Sequence, residues 1–201
     1  MAAKTIKPTH ELMLRVRQAF ADHGYANLSM VDLAKACGFT RRALYHYFSS
    51  KEEAFRASIH HNNAFSIQLA LETGRNMAEN GADLVDVFAE ILNIRYGDTR
   101  RVLNRSPHFV ELNGEAFLRC RDIMVEFAVS FQADLERLVV EFGGKQRLRL
   151  RNEFSPAQVA QLLADGARGV NQSLPPVASD KLFDRYRQMC QAVLYGSMIA
   201  A

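Results

Sequence analysis

Apolar residues recur at three- or four-residue spacing along almost the whole chain, and this pattern constrains the fold more than any other feature. Leu12, Val16 and Phe20 follow it near the start, and the stretch from Phe117 to Phe142 repeats it throughout. Such spacing places apolar side chains on one face of an α-helix, whereas a half-buried strand needs strict alternation. The pattern therefore predicts an all-α fold.

The clearest alternation is the short segment RLRLR at 147–151, within a stretch that carries four basic residues. Basic residues at this density could contact DNA, but a charge run of this kind more often lies in a solvated loop. We therefore expect a loop between two helices here.

Cap residues and glycines divide the N-terminal quarter into short helices. Ser29 is followed three residues later by Asp32, and Ser50 is followed by Glu53, which is the spacing of a capping box. The first four predicted helices cover about 9–24, 29–38, 40–47 and 50–74.

The remainder of the chain predicts longer helices. One helix is centred on 84–92, and another runs from about Gly114 to Phe142, where two glycines stop it. Ser155, Pro156 and Gln158 open a helix over 156–174 that is apolar or small nearly all round, so it needs cover on two faces. Two prolines end that helix, and a last one covers about 180–197.

Composition places the chain among globular proteins and narrows its chemistry. The 201 residues are 48% hydrophobic, which is enough for a sizeable core. The first 55 residues hold eight basic and five acidic side chains, and this difference equals the formal net charge of +3 for the whole chain. Cys37, Cys120 and Cys190 lie far apart, which argues against a disulfide framework and a zinc site. No signal peptide or membrane span is apparent, so a cytoplasmic protein without cofactor or metal is expected.

A helix over 41–48 would have two chemically different faces. Leu44 and Phe48 are four apart and face inward, whereas Arg41, Arg42, Tyr45 and His46 fall mostly on the other side. Two short helices joined by a turn at a glycine form a helix-turn-helix, whose second helix lies in the DNA major groove. Arginine can bond guanine in pairs, and hydroxyls can reach phosphates. The same residues would equally suit the solvent side of a structural helix, and the pattern alone leaves both interpretations open.

The segment LSMVDLAKACGFTRRALYHYFSSKEEAF at 28–55 resembles the DNA-binding signature of the TetR family of transcriptional regulators. The match includes the glycine turn, Tyr45, Phe48, the SKE sequence at 50–52 and the preceding HGYANLS. The resemblance covers about residues 9–60. It implies a three-helix helix-turn-helix DNA-binding domain over 1–55, followed by a helical effector-binding and dimerisation domain over 56–201.

Carried over by position, the resemblance implies that eight residues bind DNA, with Tyr45 and Lys51 as the expected phosphate contacts. Three alternatives remain: the two arginines contact only phosphates, Ser29 only caps its helix, and Tyr47 packs rather than binds. Cys37 stands at a position where the family usually has a small apolar residue, so it is expected in the core. The eight residues are Ser29, Thr40, Arg41, Arg42, Tyr45, His46, Tyr47 and Lys51.

Members of this family pair through their last two helices and hold a ligand among the central ones. The resemblance thus implies a homodimer through the helices near 156–174 and 180–197, bound to a palindrome-like double-stranded DNA operator. It also implies a repressor released by a small, apolar effector. The pocket candidates, which would equally suit plain core packing, are Phe88, Ile91, Phe109, Phe117, Met124, Phe127 and Phe131.

Two other functions compete with a ligand-responsive repressor. An architectural DNA-binding protein would need no pocket and would ignore metabolites. An enzyme using the central helices would need a catalytic constellation, but no phosphate-binding, metal-binding or nucleophile motif is apparent. His60 and His61 are adjacent on a helix, so their rings point about 100° apart and suit a shared metal poorly. The chain is therefore expected not to be an enzyme and to have no catalytic residues.

Overall fold

A computed structural model describes residues 7–200 of the chain, except for the side chain of Leu103. Residues 1–6 of the predicted domain 1–55 lie outside this range. The described residues form the α-helices α1 His10–His23, α2 Met30–Ala36, α3 Arg41–Tyr45, α4 Lys51–Glu79, α5 Leu84–Leu92, α6 Asp98–Leu103, α7 Phe109–Arg119, α8 Arg121–Lys145, α9 Pro156–Asn171 and α10 Leu182–Ser197. A π-helical turn over Asn93–Gly97 joins α5 to α6, and a 3₁₀ turn over Ser179–Lys181 precedes α10. The predicted helical fold is confirmed.

Helix starts follow the cap residues closely. The Thr9 hydroxyl accepts a hydrogen bond from the Leu12 backbone N–H at 3.2 Å, and capping boxes open α2 at Ser29 and α9 at Ser155. Gly24 and Gly38 follow α1 and α2 with φ of 75° and 74°, a left-handed conformation that side chains with a Cβ rarely adopt. These boundaries are as predicted because each depends on only a few adjacent residues.

Gly74 does not end α4, which continues to Glu79. A Cβ added at Gly74 would lie 2.4 Å from Ile91 Cδ1, so this glycine allows α4 and α5 to approach closely. The predicted capping box at Ser50 is only half correct. Ser50 Oγ accepts from the Glu53 backbone N–H at 3.1 Å, but the Glu53 carboxylate accepts from the Ser49 backbone N–H at 2.6 Å.

The predicted long helix 114–142 is wrong, because α7 and α8 are separate helices that meet at Cys120. Cys120 has φ −127° and ψ 19°, outside the helical region. Arg56 donates to the Arg119 carbonyl, while the Cys120 carbonyl accepts from the Met124 backbone N–H at 2.9 Å. The Arg119 carbonyl therefore has a side-chain partner, and the Cys120 carbonyl accepts the first backbone bond of α8.

The C-terminal end of α8 also differs from the prediction. The helix passes through both glycines to Lys145, and a Cβ at Gly143 would lie 3.0 Å from Met198 Cε. Gly143 thus permits a close contact with the chain end rather than stopping the helix.

The RLRLR segment is a strand rather than the expected loop. Leu148–Leu150 forms β1, which pairs antiparallel with β2, Met198–Ala200, so that Leu148 lies opposite Ala200. The two leucines of β1 are half-buried and Arg149 is exposed. The partner strand lies about fifty residues away in sequence, and the local pattern does not reveal it.

Two other helix ends fall short of the prediction. After α3 ends at Tyr45, the Tyr47 backbone N–H bonds the Leu44 carbonyl at 2.9 Å, which is the tighter bonding of a turn. Helix α9 ends at Asn171 rather than at 174. Helix termini often tighten or fray by a residue or two, so these differences are small.

The chain divides into two compact units. Unit 1 contains 7–64 and Val102–Glu126, and its buried side chains include Val16, Leu33, Leu44, Phe48 and Phe55. Unit 2 contains Phe65–Arg101 and 127–200, with a core contributed by α5, α8, α9 and α10. The functional division into 1–55 and 56–201 stays a prediction.

No helix within 7–200 combines the length and the apolar character needed to cross a membrane.

Candidate nucleic-acid interface

Helices α2 and α3 and the turn between them form a closely bonded unit. The Gly38 backbone N–H donates to the Lys35 carbonyl at 3.1 Å, and the Phe39 backbone N–H donates to the Ala34 carbonyl at 2.8 Å. From α1, Arg15 Nη1 donates to the Cys37 carbonyl at 3.1 Å. Cys37 itself is fully buried, as predicted. The turn is therefore fixed from both sides.

The inner face of α3 is apolar. Leu44 and Phe48 have 0% and 1% of their surface exposed, and Leu33 of α2 is also fully buried. A helix of five residues makes few internal hydrogen bonds, so its position depends on this packing.

The outer face of α3 carries Arg41, Arg42 and Tyr45, and the C-cap residue His46 follows them. All four residues are exposed, and we call them the recognition face. The Arg41 guanidinium lies 5.5 Å from the centre of the Tyr45 ring, and Arg41 Nη2 lies 3.4 Å from Tyr45 Oη. The predicted division of the helix into two faces is observed. Cationic and hydroxyl donors on one exposed helix suit contacts with phosphates and with guanine acceptors. DNA contact by these residues stays a prediction.

Ser29 and Thr40 are exposed cap residues. Thr40 Oγ1 accepts from the Ala43 backbone N–H at 3.2 Å, and Ser29 Oγ accepts from the Asp32 backbone N–H at 3.2 Å. Ser29 Oγ also donates to the Asp32 carboxylate, and the bonds from Ser29 lower the pKa of that carboxyl. The Ser29 hydroxyl is thus already engaged twice, which fits a capping role.

Tyr47 and Lys51 are less exposed than the recognition face. The Tyr47 ring packs against Phe39, with 5.7 Å between centroids, and against Phe48. Lys51 Nζ donates to the Tyr25 carbonyl at 2.7 Å and lies 4.5 Å from the centre of the Tyr25 ring. Binding of Lys51 to a DNA phosphate, which stays a prediction, would compete with these contacts.

Sequence reasoning missed a group of residues that contact the first turns of α4 and the loop between α1 and α2. Arg119, at the end of α7, lies 4.5 Å from the centre of the Tyr25 ring and bonds Glu52 of α4 through Nη1 at 2.7 Å. Arg56 forms two bonds with Asp122, at 2.9 and 2.6 Å, and holds the pKa of that carboxyl at about 2. The partners are more than sixty residues apart, and no local pattern connects them.

The predicted pocket residues fall into both compact units. In unit 2, Phe88 packs near Phe142, Phe131 near Tyr96, and Ile91 against Gly74, with Phe127 half-buried beside this core. The remaining three residues, Phe109, Phe117 and Met124, belong to unit 1. Phe117 is 55% exposed, whereas Phe88, Ile91 and Phe131 are fully buried. Ligand binding by this set stays a prediction.

The predicted dimer helices α9 and α10 pack against each other. A Cβ at Gly166 would lie 2.7 Å from Met189 Sδ, so this glycine leaves room for the Met189 side chain between the two helices. Leu162 and Tyr195 remain 45% and 59% exposed. Pairing of two chains through these helices stays a prediction.

Among residues 7–200, no group of three or more His, Cys, Asp or Glu side chains has an arrangement that could hold a metal ion. Cys37, Cys120 and Cys190 are buried thiols, and burial raises their pKa to about 11, 11 and 12. Thiols with raised pKa values are poor nucleophiles at neutral pH.

The helix-turn-helix region matches a known family. Residues 16–57 match the family model described as bacterial regulatory proteins, tetR family. The chain is also similar to the HTH-type transcriptional repressor AcnR of Corynebacterium efficiens, with 32% identity over 91 residues that cover 44% of this chain and 43% of the relative. The chain spans about two fifths of the length of the curated relatives it matches.

Solved structures extend the likeness to the rest of the chain. A TetR transcription regulator from Haloarcula marismortui has a TM-score of 0.66 and 16% identity, covering 94% of this chain and 97% of that one. SmeT, the repressor of the Stenotrophomonas maltophilia multidrug efflux pump SmeDEF, has a TM-score of 0.59 and 15% identity, covering 98% and 93%. At such low identity the likeness shows the fold alone. The match to the tetR family model covers residues 16–57, and these regulators share the fold of the chain.

Proposed function

We propose that the protein is a transcriptional repressor that binds a palindrome-like operator in double-stranded DNA as a homodimer and leaves it when a small apolar ligand binds. The observation that carries this proposal is the recognition face, held outward by Leu44 and Phe48 on the opposite side of α3. The names of AcnR and SmeT, both described as repressors, support the sign of regulation.

On DNA, α3 lies in the major groove with its N-terminal end toward the bases. Arg41 and Arg42 are in the first turn, where a guanidinium can bond O6 and N7 of one guanine, and Tyr45 reaches a phosphate. Thr40 adds a phosphate contact through its hydroxyl. Each recognition face reads only one half-site, so specificity requires two copies with a fixed separation.

Dimerisation is assigned to α9 and α10. Leu162 and Tyr195 are large, apolar or aromatic, and exposed on these two helices, and burying them between two copies is favourable. A C2 dimer would bring the same surface of each copy together and would place two recognition faces for a two-fold symmetric site.

Release by ligand is a shift between two conformations. A ligand changes the populations only if it binds the conformation unable to fit DNA more tightly than the other. The aromatic residues around Phe88, Phe127 and Phe131 favour an apolar ligand, and the functional division at 55/56 assigns them to the effector domain. The proposed repressor therefore has its effector domain at 56–201. It is also proposed to be cytoplasmic and to catalyse no reaction.

The test is selection of bound sequences from a random double-stranded library, followed by titration of the selected duplex with Arg42→Ala. If Arg42 reads a base, we expect a loss of about 1–3 kcal/mol and relaxed preference at one position. If Arg42 contacts only a phosphate, affinity falls equally for all sequences and the salt slope drops by about one. Arg75→Ala, an exposed arginine of α4 in unit 2, is the matched control and leaves affinity unchanged.

If the selection enriches no palindrome-like sequence, the proposal that the protein is a repressor is refuted. A melting-temperature screen of small apolar compounds then tests the ligand, since a compound that binds only the folded chain raises the melting temperature. A compound that raises the melting temperature but does not weaken DNA binding would refute ligand release.

A further inference from the structure

Tyr25 lies in the loop between α1 and α2, and cationic side chains from two other helices contact its ring. The ring is 7% exposed, stacks on Phe20 with 6.0 Å between centroids and meets Phe55 edge-on at 5.1 Å. Lys51 Nζ and Arg119 Cζ each lie 4.5 Å from the ring centre. Aromatic faces attract cations at this distance. Tyr25, Lys51, Glu52, Glu115 and Arg119 are called the Tyr25 cluster below.

Arg119 and Glu115 are the members of the cluster that come from the distant segment Val102–Glu126, and Arg119 makes the contacts with the rest of the cluster. Its Nη1 donates to Glu52 at 2.7 Å and its Nε donates to Glu115 at 2.5 Å. The side-chain bonds with Glu115 and Glu52 raise the pKa of Arg119, a side chain that is charged at every physiological pH. One guanidinium therefore joins the end of α7 to the first turn of α4 and to the α1–α2 loop.

The α1–α2 loop has further bonds to the same two helices. Glu111 of α7 accepts from the Ala26 backbone N–H at 2.6 Å, and Lys51 donates to the Tyr25 carbonyl at 2.7 Å. A Cβ at Gly24 would lie 2.4 Å from Glu111 Oε2, so the loop and the carboxylate are in close contact. The loop leads directly into α2, which packs against α3. The placement of the loop thus sets the placement of the recognition face relative to α4.

We propose that Arg119 is a positioning residue for DNA binding. It lies outside the family match at 16–57, holds the α1–α2 loop against the start of α4 and so fixes the orientation of α2 and α3. This inference rests on the proposed function. A single exposed ion pair contributes little. Arg119 differs because its bond to Glu52 and its contact with Tyr25 act on one helix start and one short loop, while Glu115 of the same helix holds the guanidinium in place.

The experiment compares Arg119→Gln with Arg121→Gln, a variant with the same loss of charge two residues away at an exposed position. Affinity for the duplex selected by the wild type is measured by fluorescence anisotropy at several salt concentrations. Changes in coupled contacts of this kind alter affinity by about 2- to 30-fold, and we expect Arg119→Gln to weaken binding within that range. Arg121→Gln binds as the wild type does.

The salt dependence distinguishes positioning from direct contact. A lost phosphate contact lowers the slope of log K against log salt by about 0.9, whereas a positioning residue leaves that slope unchanged. A charge exchange is the second readout: Glu52→Arg combined with Arg119→Glu recovers part of the affinity that Arg119→Glu loses. If Arg119→Gln does not fold, Arg119→Lys replaces it, with a smaller loss expected because lysine lacks the forked donor geometry.

Two results would overturn the inference. One is wild-type DNA affinity for Arg119→Gln, with or without a lower melting temperature, and the other is a reduced salt slope. Failure of the wild type to select any DNA site is a different outcome, because it refutes the proposed function and the inference with it.

Discussion

Replacing Gly74 by alanine has two opposite effects on stability. The change improves helix propensity but introduces a steric clash, and the structure indicates that the clash is the larger effect. Alanine in the middle of α4 gains about 1 kcal/mol over glycine from helix propensity. Its Cβ, however, would lie 2.4 Å from Ile91 Cδ1 and 2.5 Å from Ile91 Cγ1, and Ile91 is fully buried. Inserting a methyl group into such a packed site costs about 1–3 kcal/mol. We therefore expect Gly74→Ala to lower the free energy of unfolding by about 1 kcal/mol.

Urea denaturation measures this difference, and Gly114→Ala is the matched control. Gly114 is an exposed helical glycine of α7, and a Cβ there would meet nothing within 4 Å. Gly114→Ala should therefore stabilise the protein by about 1 kcal/mol from helix propensity alone. Ile91→Val removes the clashing Cδ1 and normally costs about 0.5–1.5 kcal/mol, but it should cost less in the Gly74→Ala background. If Gly74→Ala stabilises the protein as much as Gly114→Ala does, the steric argument is wrong.

Two further predictions concern unit 1. Leu44→Ala should lower the free energy of unfolding by about 2–5 kcal/mol in urea titrations, because Leu44 is fully buried beneath the recognition face. Exposed Val31→Ala of α2 is its control, and an equal loss in both would contradict the packing argument. Burial and the charges of His10 and His60 lower the pKa of His61 below its ordinary 6.5, so the unfolded chain takes up protons more readily than the folded one. Stability should thus fall as pH drops through 6.5, and melting temperatures between pH 5 and 8 should change less in His61→Gln; equal pH dependence in both proteins would exclude His61 as the cause.

The parts of the fold that follow from the sequence are those set by adjacent residues. Ser29 with Asp32 and Ser155 with Gln158 form the expected capping boxes, because a cap side chain bonds a backbone N–H only three residues ahead. Gly24 follows the end of α1, as expected, and its positive φ is set by the same kind of local geometry. Gly74 is also expected to end a helix. It lies inside α4 instead, where it leaves room for Ile91 of α5.

The candidate site shows the same division between local and distant effects. The inward position of Leu44 and the outward position of Arg42 follow from the 3.6-residue period of a helix. The contacts of Lys51 could not be predicted, because its bond to the Tyr25 carbonyl spans 26 residues. The motif therefore indicates which side chains could bind DNA. Only the folded structure shows which of their hydrogen-bond donors are already bonded within the protein.

The compact unit that carries the recognition face is larger than the segment that defines the family match. Residues 16–57 contain the apolar contacts of α3, but the bonds to Ala26, Glu52 and Arg56 come from Glu111, Arg119 and Asp122. Charged groups that lose their partners regain water, whereas the loop they fixed gains conformational freedom. Removing these partners would therefore affect the orientation of α3 more than the stability of its core. Affinity for DNA would then depend on α7 even though no residue of α7 belongs to the recognition face.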